Sequence, residues 1–506
     1  MRITLRFFIV VLCSNLAFGS MLPVGRPDTR ISYDYLRELY LRGYVDAQAA
    51  LFIPVDYRYI SGLSLEGIPP MFDKLTKPLA YLDRRFHNEL EGLKLNLSVV
   101  PYGLFNGDVS KSYFAFYPGA NYKISPNLFI DIAYRIDSGL NDDSLYTGKR
   151  WSEFAGYGEL AMISYRTKRL SIGFGRRRCA WGVARKGKTL MLSATAMPLD
   201  GLFIDYRIRK TLSFHSTIAC LSPIKVDSLF LESGHTENRY FSAHALMISP
   251  VKWLDFVLKE SVVYGGFGRR FEPYYAMPLL WFHAEQLNAN IDDNTFFGIE
   301  TVIRLKNRYA GYLELLIDDY QIEKKTASDY EPNEIGFIAG VDIFDFPVRM
   351  GFMELEYTRI NNRTYNQMKP RNRYVNQNYP LGHPLGPDNE SVNLSYTYHI
   401  KRGLTGGFIF YVLNRGEGRI NNDWETPWID DSTYSEKFPS GVVEKRLGGQ
   451  FELLFHRDSF LQARIACGVA DIKNKGNIPG VDETDWSIEF EIILSSPGIV
   501  LRFNDN

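Results

Sequence analysis

RYFSAHALMISPVKWLDFVLKESVVY (Arg239–Tyr264) and FFGIETVIRLKNRYAGYLELLIDD (Phe296–Asp319) decide how this chain folds. Each is a pair of runs of about ten residues around a tight turn, the first at Pro250–Lys252 and the second at Lys306–Arg308. Phe297, Ile299, Ile303 and Leu305 share one face of their run, and Glu300 and Arg304 share the other. Leu313, Leu315 and Ile317 likewise oppose Tyr312, Glu314 and Asp318. Ten alternating residues match the length and period of a membrane-spanning β-strand. A half-buried soluble sheet alternates as well, so the decision rests on repetition of the unit.

The unit repeats from Leu93 to the C-terminus. Leu93–Val99, Tyr113–Tyr122, Leu128–Ile136, Gly156–Arg166, Leu170–Arg177, Leu202–Arg209 and Leu212–Leu221 precede the central hairpins. Ile335–Phe344, Met350–Ile360, Ser391–Ile400, Leu404–Asn414, Leu447–His456, Phe460–Ala470 and Trp486–Leu494 follow them. The total is about eighteen. Connections read as alternating strictly between tight turns (Lys123–Pro126, Thr167–Arg169, Asp345–Pro347, Arg457–Ser459) and long excursions (138–154, 178–201, 266–294, 362–390, 415–446). Short turns at one end and long loops at the other mark a transmembrane barrel. The predicted fold class is all-β, a large antiparallel transmembrane β-barrel over residues 93–506 with its long loops outside the cell.

Composition agrees. The 506 residues would otherwise divide into several soluble domains. Lysine plus arginine and aspartate plus glutamate are both 58, which gives no support for nucleic-acid binding. Aromatic residues make up 14%, suited to interface girdles and sugar-facing surfaces. A mean hydropathy of −0.19 is too polar for a bundle of membrane helices. Met1–Gly19 reads as a secretory signal, with Arg2 and Arg6, an apolar Phe7–Leu12 and a small-x-small site at Ala17–Gly19. Cys179, Cys220 and Cys467 show no metal spacing, and Cys467 shares a face with Ile465 and Val469.

Residues 20–92 are predicted to be a small helical periplasmic module. Leu36, Leu39 and Tyr40 fall at helical spacing before Gly43, and Leu79, Leu82, Phe86 and Leu90 form a second stripe between Pro78 and Gly92. In the barrel, Asp131, Arg135, Glu300, Arg304, Glu314, Glu354, Glu356, Glu452, Arg464, Glu489 and Glu491 should face inward as ion pairs. Glu260 is a misfit, in phase with Leu254, Phe256 and Leu258 on the lipid face unless a bulge turns it inward. Pro497-Gly498 leaves the final strand open.

Five stretches carry a resemblance: Gly173–Arg176 with Trp181-Gly182 and Leu190–Pro198; Arg239–His244; Glu260–Gly266; Asp292–Asn294 with Gly298 and Leu316–Asp319; and Gly382–Asp388. In that order they resemble Wzi-type outer-membrane capsule assembly proteins. Ala184, where a glycine is more usual, and the very basic loop around it depart from the pattern. The resemblance implies an eighteen-stranded barrel in the bacterial outer membrane that anchors capsular or related polysaccharide in a lectin-like way, without chemistry.

Sugar rings stack on aromatics and their hydroxyls need fixed polar partners. The loops supply such candidates in Arg269, Arg270, Tyr274, Tyr275, Trp281 and His283, and in Arg371, Arg373 and Tyr374. The alternative for the first group is a loop folded into the barrel mouth as an aromatic plug. Arg178 and Trp181 sit in a basic cluster that either attracts an acidic polymer or balances lumen carboxylates. Gly382–Pro387 reads as a shaped turn. His244, placed on an inward face, and His283 meet no nucleophile motif, so no enzyme, cofactor or metal is expected. The expected partners are surface polysaccharide and outer-membrane lipid with lipopolysaccharide, around a monomeric barrel. A porin-like passive channel is the alternative.

Overall fold

The computed structural model describes residues 27–54, 93–107, 109–228, 231–321, 330–431, 433–457, 460–496 and 499–501. The signal (Met1–Gly19) and the second helical stripe (Pro78–Gly92) lie outside the described residues. The chain forms an 18-stranded, closed, antiparallel barrel. Strands β1 (Leu93–Asn106), β2 (Val109–Ser125), β3 (Leu128–Asp137), β4 (Phe154–Arg166), β5 (Leu170–Arg177) and β6 (Leu199–Arg209) begin it. The next are β7 (Leu212–Ser228), β8 (Leu231–Val251), β9 (Leu254–Gly266), β10 (Asn294–Leu305), β11 (Tyr309–Asp319) and β12 (Glu334–Phe344). Then come β13 (Gly351–Ile360), β14 (Asn389–Lys401), β15 (Leu404–Arg415), β16 (Glu444–Arg457), β17 (Leu461–Lys473) and β18 (Glu483–Ser495). β18 closes the wall on β1, Val99 opposite Leu494 and Phe105 opposite Ile488, and Ile499–Leu501 continue the pairing down to Leu93. That answers the open question of the final strand.

The alternation of turn and loop is less strict than the sequence suggests. Loops 138–153, 178–198, 267–293, 320–333, 361–388 and 416–443 are long and lie at one end. At that same end, however, β1 pairs with β2 up to Asn106–Val109, β7 with β8 up to Ser228–Leu231, and β17–β18 need only 474–482. β7 and β8 run 17 and 21 residues instead, so this hairpin extends as ribbon where its neighbours extend as loop.

Side chains alternate as the period requires. Leu258, Ile303, Leu313, Leu355, Phe451, Ile465, Val469 and Trp486 all point outward, each at least a third exposed. A continuous wall of this kind has no aqueous explanation and fits acyl chains. Cys467 takes its place on this outer face. The predicted inward residues are inward and paired: Arg166 with Asp131 at 3.0 Å, Arg304 with Asp255 at 2.5 Å, and Arg464 with Glu452 and Glu489.

The lumen is filled from both ends. Helix α1 (Pro27–Leu41) buries Leu36, Leu39 and Tyr40 and stops before Gly43, whose φ of +79° suits glycine. The polar contacts of its C-terminal end are with residues beside tight turns: Tyr40 donates to Asp255 at 2.8 Å, Arg42 just beyond it to Asp345 at 3.1 Å, and Glu38 pairs with His399 at 2.8 Å. α1 therefore sits inside the short-turn end of the barrel. From the opposite end, loop 178–198 enters the lumen and brings backbone with it. Val183 N–H donates to Glu300 at 2.7 Å, Leu190 N–H to Glu314 at 3.1 Å, and Arg185 N–H to Glu356 at 3.0 Å. Inward carboxylates thus satisfy backbone donors that no ladder can reach.

Candidate functional site

Loop 361–388 caps loop 178–198. Tyr365 and Tyr374 donate their hydroxyls to the carbonyls of Leu190 and Met191 at 2.6 and 2.9 Å, and Ser193 N–H donates to Leu381 O at 2.9 Å. A Cβ on Gly382 would lie 2.2 Å from Leu190 O, so glycine permits this approach and the 382–387 turn is structural. From β8, the buried Arg239 donates to the carbonyls of Arg371 (2.7 Å), Val375 (3.0 Å) and Arg373. One guanidinium therefore shapes the whole cap.

Several residues singled out from sequence are parts of this plug. Trp181 is buried against Phe52, with ring centroids 5.9 Å apart. Tyr374 is fully buried and stacks on Tyr365. Arg178 is buried, paired with Glu159 at 2.8 Å and donating to Ala196 O. Elsewhere in the basic cluster Arg177 meets Asp205 at 3.2 Å and Arg185 meets Glu354 at 3.2 Å. Arg371 lies 3.5 Å from Glu237, while Arg373 reaches the surface and donates to Asn422 O at 2.9 Å.

Loop 267–293 enters neither the mouth nor the lumen. It folds back over the outer face of β8–β10, which corrects the plug reading of its aromatics. Its buried members Tyr275 and Phe282 pack with Val262 and Tyr264, residues on the face of β9 opposite Lys259 and Ser261. Glu260 keeps the outward phase of Leu258 with no bulge, and it is buried because helix α2 (Phe282–Ala289) lies on it. Its two oxygens accept the N–H groups of Phe282 and His283, each at 3.0 Å. His244 also points outward, contrary to expectation, 3.2 Å from Glu260 and 4.4 Å ring-to-ring from Phe282. Arg269 holds the base of the loop through Glu272 and Asp293, Tyr275 donates to Asp293 at 2.8 Å, and Tyr274 donates to Glu272. Arg270, Trp281 and His283 remain exposed.

The open recess at the rim is elsewhere. A cleft of about 390 Å³ opens between the ends of loops 320–333, 361–388 and 416–443. Tyr330, Tyr434 and Phe438 supply ring faces, and Asn361, Asn362, Arg359 and Lys437 supply donors. Arg359 lies 3.8 Å from the Phe438 ring centre, and Asn362 donates to Glu436 at 3.0 Å. Burial, with Asp319 beside it, pushes the Glu331 carboxyl up to about 7, and burial also raises that of Glu436. Sequence reasoning passed over these residues because they are scattered across three loops. Tyr434 to Phe438, an aromatic-polar run in loop 416–443, was the one local signal.

The family model "Capsule assembly protein Wzi" matches residues 107–484. Wzi of Escherichia coli, an outer membrane protein involved in group 1 capsule assembly and described as a carbohydrate-binding β-barrel, superposes with a TM-score of 0.61. That likeness has 12% identity and covers 96% of this chain and 100% of the other. Acinetobacter baumannii OccAB2 gives 0.47 at 10% identity over 80% and 98% of the two chains. Pseudomonas aeruginosa OprD gives 0.45 at 10% identity over 82% and 98%. No curated protein matches the sequence.

Proposed function

Because the chain belongs to the capsule assembly protein Wzi family, we propose that it holds capsular or related extracellular polysaccharide on the bacterial outer membrane by binding alone, without catalysing a reaction. The family is what carries this reading. The filled lumen supports it, since α1 and loops 178–198 and 361–388 occupy the space a passive channel needs. Polymer would then be met at the rim, where the cleft beside Tyr434 and Asn362 offers ring faces and amide donors together, the pairing that sugars require. Arg373 and Lys437 add positive charge suited to an acidic polymer. The barrel acts as a monomer, with lipopolysaccharide as its surroundings.

The test removes the protein and then the cleft. A deletion strain should shed its extracellular polysaccharide into the medium, and the intact gene should restore retention. A Tyr434→Ala, Asn362→Ala double variant should reach the membrane normally yet retain polymer poorly, with affinity for purified polysaccharide down about tenfold, as for loss of one stacking contact and one hydrogen bond. Polysaccharide that stays on the deletion strain would overturn the anchoring role.

A further inference from the structure

Loop 267–293 is placed where an external, sugar-binding loop has no business to be. Its attachment point Glu260 lies six residues along β9 from Leu254, at the short-turn end. At about 3.3 Å per residue and a tilt of about 40°, that is about 15 Å up a lipid-facing band about 25 Å tall. The residues paired with Glu260 across the wall are apolar beyond His244 and Ser216 on one flank and from Phe297 onward on the other. Glu260 pairs with Phe297, Phe297 with Ile317 and Ile317 with Ile335. On the other side Glu260 pairs with His244, His244 with Ser216, Ser216 with Ile204 and Ile204 with Ile172. A carboxylate, an imidazole and the Ser216 hydroxyl therefore interrupt an isoleucine belt, and the loop covers the first two.

The loop is also graded in the direction a leaflet is graded. Arg269, Arg270, Glu272, Asp292 and Asp293 gather at its base beside Gly265 and Asn294, at the rim. Its far end, pinned through the Phe282 N–H to Glu260, is Met277-Pro-Leu-Leu-Trp281. There Met277 is 58%, Leu279 95% and Trp281 62% exposed. Leu287, on the returning helix, is 70% exposed.

We propose that residues 267–293 form a flap immersed in the outer leaflet, with acyl chains packing around Met277, Leu279 and Trp281 and the charged base at the headgroups. The flap covers a polar gap in the lipid-facing wall and turns Met277, Leu279, Trp281 and Leu287 outward over it. Glu260 serves as its latch, since a carboxylate at a helix N-terminus satisfies two backbone donors that hydrocarbon cannot.

Site-directed spin labelling tests this in vesicles of the reconstituted full chain, with Cys179, Cys220 and Cys467 replaced by alanine. A label at Leu279→Cys should collide with oxygen several-fold more than with water-soluble nickel chelate, as should a control at the outward Leu313→Cys. Labels at Arg270→Cys and at Asp430→Cys in an external loop should show the reverse. Nickel access at position 279 equal to that at 430 overturns the flap, while the 313 control reports separately on the membrane barrel. Dipolar broadening between labels at 279 would mean that a second copy covers the surface, which also overturns the acyl-chain assignment. A Glu260→Ala variant should raise nickel access at 279 while leaving 313 unchanged.

Discussion

Replacing Lys259 with methionine should undock the plug while leaving the barrel closed. The ammonium has three donors, and the structure uses all of them: Glu300 at 2.7 Å, Glu314 at 2.9 Å and the carbonyl of Trp181 at 2.9 Å. Both carboxylates are almost wholly buried, so methionine fills the volume but strands two acids side by side. Breaking a buried pair in this way costs about 3–5 kcal/mol. Protonation of one acid recovers part of it, and about 3 kcal/mol corresponds to roughly a hundredfold change in the docked–undocked equilibrium of loop 178–198. Cys179 reports on that equilibrium because it is buried at the root of the loop. With Cys220 and Cys467 replaced by alanine, its labelling by a charged maleimide should accelerate on the order of a hundredfold in K259M. The double variant K259M/E314Q, which removes one stranded charge, should recover most of the protection. Unchanged labelling in K259M, with the heat-modifiable band of a folded barrel intact, would refute the assignment of Lys259 as the plug's electrostatic anchor.

Planar-bilayer recordings of the wild-type chain should show no large steady openings, and shortening loop 178–198 to a Gly-Ser link should create them; porin-like steps in the wild type would overturn the plug. Arg239→Met takes a donor from three carbonyls of loop 361–388, of which Arg373 O keeps the Val375 N–H at 2.9 Å, so limited proteolysis on whole cells should cut that loop at least tenfold faster, at about 1–3 kcal/mol for each carbonyl left unsatisfied. Because the Glu331 carboxyl sits at about 7, above its ordinary 4.5, the folded rim binds more protons than the unfolded chain between those values. The Glu331 contribution to rim order is therefore full below about pH 4.5 and is lost as pH rises through 7. An acidic polysaccharide should bind more tightly at pH 6 than at pH 8 by calorimetry, and Glu331→Gln should abolish the difference.

The barrel was legible because a period of two survives tertiary context: a strand slipped by one residue would turn Glu300 and Glu314 to lipid. Helix α1 was legible through Leu36, Leu39, Tyr40 and Gly43, but not its place inside the barrel, since its partners Asp255, Asp345 and His399 lie hundreds of residues away. Periodicity also put Glu260 on the outer face correctly and made it look like an error, because nothing local says that a later segment will cover it. His244 was misplaced for the related reason that a buried polar side chain reads as inward. Trp181 and Tyr374 looked like sugar platforms because an aromatic residue in a polar loop has the same composition whether the loop is solvated or inserted. The rim cleft was illegible because the convergence of three loops leaves no spacing to read.

A polar lumen occupied by a loop needs its own explanation, and the backbone of loop 178–198 provides it. Loop backbone inserted into a lumen cannot join the sheet ladder, so its N–H groups need fixed acceptors. Glu300, Glu314 and Glu356 are those acceptors, on strands β10, β11 and β13. Glu452 and Glu489, on β16 and β18, face the wetter side of the lumen and share Arg464 at 31% and 35% side-chain exposure. The two sets look alike in sequence yet should respond differently to removal of charge. Glu300→Gln keeps an acceptor for Val183 but breaks the buried Lys259–Glu300 pair, leaving Lys259 to Glu314 and the Trp181 carbonyl, and should cost about 2 kcal/mol in urea unfolding from bilayers, the worth of one buried charge-assisted hydrogen bond. Glu489→Gln weakens a hydrated pair and should cost under about 1 kcal/mol. Equal losses at the two sites would mean that the inward charges serve a common water-filled lining, and the case for a barrel built to hold polymer outside while passing nothing through would fail with them.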